Sequence, residues 1–266
     1  MRAQHPFGKL SIRMLMILLL RLDTAPPSLA EEPTYDPHRI MMARGHYESA
    51  LKLMVKNRPQ EAEAEYLEAI RLFPDYAEAH MQLGSLSMAR KDYSEALARL
   101  LRAKQALTNL QGLRRQQEME RQRRIQESIT HVQEAIESLR TSQRPTDQTK
   151  IEEEMLTLEK LQQERTKIHL TEESPYPPEL HMMTGNAFLS LERFDEALKE
   201  FEDALVLRPK FGEVHNNIAV IYYYRRDYGK SWEHLHAAEK AGVQVNPQFR
   251  EELAALYPEP AETPQK

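Results

Sequence analysis

The chain has 266 residues, 29% of them charged and 41% hydrophobic, with 8 glycines, 7% aromatics and a formal charge of -5. That length holds one or two domains with a real core, and the composition suits helices with solvated faces rather than sheets. The mild charge gives no general drive toward nucleic acid or anionic membranes. With no cysteine, a disulfide framework, a cysteine-ligated metal, a thiol nucleophile and a cysteine-linked lipid anchor are excluded.

At the N-terminus, Arg2, Lys9 and Arg13 precede the apolar run Met14 to Leu20, and Ser28-Leu29-Ala30 sets small residues where a signal peptidase reads. This is the layout of a secretory signal over residues 1–30, so export is expected, with a cytoplasmic chain as the alternative. The apolar run is far shorter than the ~20 residues that cross a bilayer, so no stable membrane span is expected. Residues 31–42 read as a leader segment.

An internal period follows. Ala62, Tyr66, Ala69 and Pro74 align with Ala96, Leu100, Ala103 and Thr108 at an offset of 34 residues. Ala197, Phe201, Ala204 and Pro209 align with Ser231, Leu235, Ala238 and Val243 at the same offset. Gly84 and Gly185 take the register of Ala50 and Ala219, and Phe188 and Tyr222 share an aromatic register. The segments LGSLSMARKDYSEALARLLRAKQAL and TGNAFLSLERFDEALKEFEDALVLRP resemble the tetratricopeptide repeat, a helical hairpin of 34 residues.

Repeats are assigned to 43–76 and 77–110, then 178–211 and 212–245. The small residues let helices approach to about 8–10 Å, and the larger Tyr66, Leu100, Phe201 and Leu235 fill the space between. Pro74 and Pro209 end the second helices, and Pro59 opens one where its missing N–H costs nothing. No hairpin buries its apolar face alone, so each repeat leans on its neighbours. Asn246 and Pro247 begin a capping helix over 246–257, with Leu253 and Leu256 inward. A disordered tail is expected over 258–266.

Residues 111–177 break the period. Ile125, Ile129, Val132, Ile136 and Leu139 step by four and three, as do Ile151, Met155, Leu158 and Leu161 nearly so. TSQRPTD separates the two runs at Pro145. Five arginines against two glutamates lie between Arg114 and Arg124, while 151–165 carries five glutamates against Lys160 and Arg165. Opposite flanks favour an antiparallel coiled-coil hairpin, and the Pro-rich TEESPYPP is long enough to bring the chain back. The predicted architecture is therefore all-α, four repeats in two pairs plus a cap, interrupted by a coiled-coil hairpin. One interrupted solenoid is expected, with two separate pairs on a flexible arm as the alternative.

The resemblance implies a concave groove, lined by the first helices, that holds a protein or peptide segment. By register its residues are Met81, Ser85, Met88, Met182, Asn186, Asn216, Asn217, Val220 and Tyr223, flanked by Tyr47, Leu51, Met54 and Leu189. In heat-shock co-chaperones of this family a cationic clamp grips an acidic tail. Asn186 and Asn217 match its asparagines, but Met182, Pro247 and Glu251 stand where its cations belong, so no such clamp is expected. His46, His80, His181 and His215 share one register and are read as packing residues rather than a metal ladder.

No HExxH, phosphate loop or GxSxG occurs, so no catalytic residue, cofactor or metal is assigned. The arginine stretch is interleaved with glutamate and lacks aromatics, which argues against nucleic acid. The expected role is a protein-binding scaffold or adaptor. The alternative is a structural protein that self-associates through residues 111–170.

Overall fold

The computed structural model describes residues 36–142, 144, 147–168 and 174–260; the expected signal over 1–30, most of the turn around Pro145 and the last residues lie outside them. Ten α-helices and no strand occur among the described residues. They are α1 Pro37–Val55, α2 Pro59–Leu72, α3 Ala77–Ala89, α4 Tyr93–Ser142 and α5 Asp147–Thr166, then α6 Pro178–Ser190, α7 Phe194–Leu207, α8 Gly212–Tyr224, α9 Tyr228–Lys240 and α10 Pro247–Leu256.

Local sequence sets many of the ends. α1 starts inside the leader segment because Asp36 caps it, accepting from the His38 N–H at 2.9 Å, with Pro37 as first residue. Asn246 does the same for α10 through the Gln248 N–H, also at 2.9 Å. The four hairpin turns share one device. Asn57, Lys91, Glu192 and Arg226 adopt left-handed φ of 56°, 64°, 57° and 61°, all at the same position of their repeats. The next N–H then reaches back five residues, as from Arg58 to the Leu53 carbonyl at 3.0 Å and from Arg193 to Phe188 at 2.9 Å. This is the paired-carbonyl closure of a helix C-terminus, made here without glycine.

The small register packs as its spacing demands. Ala62, Ala96, Ala197 and Ser231 are all buried, and Ser231 turns its hydroxyl to the Ala219 carbonyl at 2.8 Å. Gly185 touches the Phe201 ring so closely that an added Cβ would lie within 3.0 Å of three ring carbons; at Gly84 the Leu100 side chain is the neighbour.

The two repeat pairs are not separate. One core holds Leu97, Leu100 and Ala103 of α4 together with Leu180, Ala187 and Phe201. Helix α6 packs on α4 directly, so the solenoid is continuous in space although a long insertion interrupts it in sequence.

That insertion is an antiparallel helical hairpin. Helix α4 runs 50 residues, about 75 Å at 1.5 Å per residue, and α5 returns along its outer part. Ile125, Ile129, Ile136 and Ile151 are buried in the seam. Arg121 pairs with Glu164 at 2.6 Å, Arg165 donates to Gln126 at 2.9 Å, and the Ser142 hydroxyl donates to the Asp147 carboxylate at the turn. One seam residue departs from expectation. Stepping by three and four from Ile151 lands on Glu154, Leu158 and Leu161, so Met155 falls one position off the seam and is 50% exposed.

At the other end α10 closes the stack. Leu253 is fully buried beside Trp232 and Leu235, and the Trp232 indole N–H donates to the Tyr257 carbonyl at 3.0 Å. Order continues past the cap: Glu259, expected in the disordered tail, accepts from Arg250 at 2.6 Å and lies 2.8 Å from His236.

Candidate partner-binding groove

In each of α3, α6 and α8 the residues divide cleanly. Leu83, Gly84, Leu86 and Ser87 of α3 are buried against the second helices, as are Thr184, Gly185, Ala187 and Phe188 of α6 and Ile218, Ala219 and Ile221 of α8. On the opposite face Ser85 is exposed, while Met81, Met88, Met182, Asn186, Asn216, Asn217, Val220 and Tyr223 are half-buried. Adjacent first helices touch, α3 with α6 and α6 with α8, so these faces join into one surface.

At its centre the Asn217 amide donates to the Asn186 carbonyl oxygen at 2.7 Å, linking the first helices of the third and fourth repeats. Asn216 leans on Asn217 at 3.5 Å. The pair uses one of its four amide N–H donors, leaving the others and carbonyl lone pairs for a ligand backbone. Toward α1, Tyr47 packs on Tyr66 and Tyr76 with centroids 5.6 and 5.1 Å apart, and Leu51 and Met54 are partly exposed. Toward α10, Tyr223 meets Phe249 edge-on at 5.4 Å. Of the three consecutive tyrosines, Tyr222 packs inward, stacked on His234 at 5.7 Å.

The four aligned histidines cross-brace the hairpins. His46 donates to Glu65 at 2.7 Å and His181 to Glu200 at 2.8 Å, each partner 19 residues on. His80 donates through Nε2 to the Pro74 carbonyl at 3.0 Å and His215 to that of Pro209 at 3.1 Å. His215 Nδ1 also lies 3.1 Å from His234 Nδ1, within hydrogen-bonding distance, so the ring links α8 to α9. Burial lowers the pKa of both His80 and His234, and for His234 the nearby His215 adds to this.

Sequence reasoning missed the joint where the interrupted repeats meet. Lys104 of α4 ion-pairs with Glu200 of α7; both side chains are largely buried, at 13% and 14% exposed. The same ammonium lies 3.3 Å from His181 Nδ1 and 4.9 Å from the Tyr176 ring centroid. The Tyr176 hydroxyl in turn meets Thr108 at 2.8 Å. Burial pushes the Glu200 carboxyl up, but hydrogen bonds from His181 and Lys104 outweigh it and hold it below the usual range. His181, Glu200 and Asp203 converge closely enough to ligate a cation, all donor atoms within 4.8 Å. Lys104 already supplies the positive charge there. The one local signal that could have pointed to this contact is Tyr176, an aromatic among the prolines of the return linker.

Two family profiles match the repeats: one described as a tetratricopeptide repeat over residues 43–109, the other as a TPR repeat over 185–224. With the hairpins packed at their 34-residue period, that decides the family. The chain is a tetratricopeptide-repeat protein. It is 38% identical over 53 residues to the Hsp70-Hsp90 organising protein of Plasmodium falciparum, a match spanning 20% of this chain and only 9% of that one. Among solved structures, PilF of Pseudomonas aeruginosa is similar at 18% identity and a TM-score of 0.37, over 83% of this chain and 86% of that one. PilW, a type IV pilus biogenesis factor, is similar at 12% identity and 0.40, over 81% and 86%. No helix among the described residues of this repeat protein is long and apolar enough to cross a membrane.

Proposed function

We propose that this chain is an interaction scaffold that holds a segment of a partner protein along the joined faces of its first helices. The observation that carries this reading is the Asn186–Asn217 pair. Two amides with spare hydrogen-bonding capacity lie in the middle of a half-buried surface otherwise made of methionine, valine and tyrosine. Such a surface adapts to apolar side chains through methionine and fixes a backbone through the amides. No motif in the sequence supports catalysis, so the role is binding. An adaptor also fits the short match to a protein whose name describes organising two chaperones. Export through residues 1–30 belongs to the same reading, and the expected mature chain begins at Glu31.

The test is affinity capture from native extract with three baits: the wild-type chain, a Met88/Asn217/Tyr223 to Glu variant and a chain lacking residues 115–170. A partner lost with the first variant and kept without the arm supports the groove. One lost only without the arm sinks it. Sequencing the N-terminus of the native protein checks export.

A second reading is favoured by one feature of the arm. Met155 and Leu156 are 50% and 53% exposed side by side on α5, and such neighbours suit self-association. Light scattering with and without residues 115–170 decides: a monomer in both cases ends that idea.

A further inference from the structure

In α3, α6 and α8 the charged residues next to the groove floor are glutamates. Glu78, Glu179 and Glu213 stand one turn before Met81, Met182 and Asn216, so helical spacing sets each glutamate beside the floor it precedes. Helix α10 adds Glu251 and Glu252 at the closed end. Among the face registers of α3, α6 and α8 there is no lysine or arginine. Glu179 is neutralised by Arg208. Glu78, Glu213 and Glu251 are exposed and make no ion pair with any described residue. Helix α1 carries Arg39, Arg44 and Lys52; Arg44, in the register of Glu78, is matched by Glu48 at 2.9 Å, and Arg39 donates to the Arg71 carbonyl at 3.4 Å.

The floor complements this rim. Met81, Met88 and Met182 are partly open and flexible, a bed for the aliphatic stems of long side chains. At the α10 end Tyr223 lies 5.8 Å from Tyr224 and 5.4 Å from Phe249. Its hydroxyl donates to Glu252 at 3.5 Å. Aromatic faces beside a carboxylate attract a cation. Along α3, α6, α8 and the Glu251–Glu252 end a carboxylate-bearing ligand would meet mainly like charge.

We infer that the segment held in this groove is basic and apolar, with lysine or arginine side chains spaced among aliphatic ones and one cation seated between Tyr223 and Glu252. This rests on the groove reading above and names its ligand chemistry. The rim glutamates steer the cations, the methionines cover their stems, and Asn186 and Asn217 hold the backbone between them.

The experiment uses the full chain and three fluorescein-labelled peptides of leucine and serine, about 12 residues long, carrying lysine, glutamine or glutamate at every third position. Anisotropy titrations at about 50 mM salt keep surface electrostatics visible. The lysine peptide is expected to bind at least about tenfold tighter than the glutamine one, and the glutamate one not at all. Replacing Glu78, Glu213 and Glu251 together by Gln is expected to weaken the lysine peptide about tenfold. These side chains are exposed, so circular dichroism should stay unchanged. Val220→Arg, which fills the floor, should remove binding. Equal affinity for all three peptides, abolished by Val220→Arg, would leave the groove standing and overturn its charge preference. Lysine-peptide binding indifferent to both variants would locate it elsewhere, on the acidic α5, and overturn the inference. So would no binding at all.

Discussion

The solenoid and the arm are both helical hairpins, yet they hold together by different means. In the solenoid, large side chains such as Tyr66, Leu100, Phe201 and Leu235 are fully buried against alanine, serine or glycine. Histidines pin first helices to second helices at two of the four hairpins through a carboxylate. In the arm, the buried apolar side chains are Ile125, Ile129, Ile136 and Ile151, and the same seam admits Asp147 and Glu154. Two contacts between its helices away from the turn are polar and exposed, Arg121 with Glu164 and Arg165 with Gln126. Repeats share walls with neighbours on both sides. A two-helix hairpin has only itself, so it is the part expected to open first.

Equivalent truncations make that contrast measurable. Phe201→Ala empties the centre of the shared core and is expected to cost about 3–5 kcal/mol, lowering the main thermal transition. Ile129→Ala deletes a comparable wall in the arm. Its effect should stay local: faster amide exchange along α4 and α5 beyond the solenoid, with the main transition nearly unmoved. Equal loss of the main transition from both would mean that arm and solenoid unfold as one unit.

Next in size is the joint between the interrupted repeats. Lys104→Met leaves the largely buried Glu200 without its ammonium, expected to cost about 3 kcal/mol. Adding Glu200→Gln should recover part of this. The pH dependence has a definite sign. Glu200 has a lowered pKa in the fold, so its contribution is present above the unfolded carboxylate pKa and is lost as pH falls through the lower folded value. His80 and His234 are also lowered. The unfolded chain takes up their protons first, so stability starts to drop as pH falls below about 6.5. Acid titration of wild type should therefore show a histidine phase above a carboxylate phase. Lys104→Met should shrink only the second.

A third effect tests close packing. Gly185→Ala places a methyl against the Phe201 ring and is expected to cost about 2 kcal/mol. Gly84→Ala should cost less, because Leu100 can turn aside where a ring cannot. Gly112 on the arm helix has no atom within 4 Å of an added Cβ, and there alanine should stabilise the helix by up to about 1 kcal/mol. The same substitution thus changes sign between the two regions.

The fold was legible because the repeat writes itself as small and large residues at fixed spacing, and Ala62, Tyr66, Ala197 and Phe201 end where that spacing puts them. The continuity of the solenoid was legible only through chain length, TEESPYPP being long enough to return the third repeat to the second. The contacts that make it, the core shared by Leu97, Leu100, Leu180 and Phe201 and the Lys104–Glu200 pair across 96 residues, have no local pattern that encodes their range. Met155 misled because a methionine one step from a heptad position looks apolar enough to belong to it. The groove was read only through family register. Its side chains are half-buried, and half-burial leaves no periodic trace that distinguishes a ligand surface from ordinary packing. The left-handed turn residues were missed as well, since Lys91, Glu192 and Arg226 lack the glycine that normally marks such a position.

Those turns give the smallest prediction and a last contrast between the regions. A left-handed conformation costs a non-glycine residue about 1–2 kcal/mol, while glycine adds roughly 0.5–1 kcal/mol of unfolded-chain entropy. Glu192→Gly should therefore stabilise by about 0.5–1 kcal/mol, and Lys91→Gly and Arg226→Gly similarly. Asn57→Gly should gain less, because asparagine tolerates this region better than other side chains. All four residues share φ values between 56° and 64°, so a common gain in chemical denaturation would show that the solenoid carries one strain repeated at each hairpin. A loss at Glu192 would instead mean that its side chain contributes more than its backbone costs. The arm offers no equivalent among its described residues. A gain confined to the solenoid should raise the main transition while leaving amide exchange in α5 unchanged, widening the stability gap between the two parts of the chain.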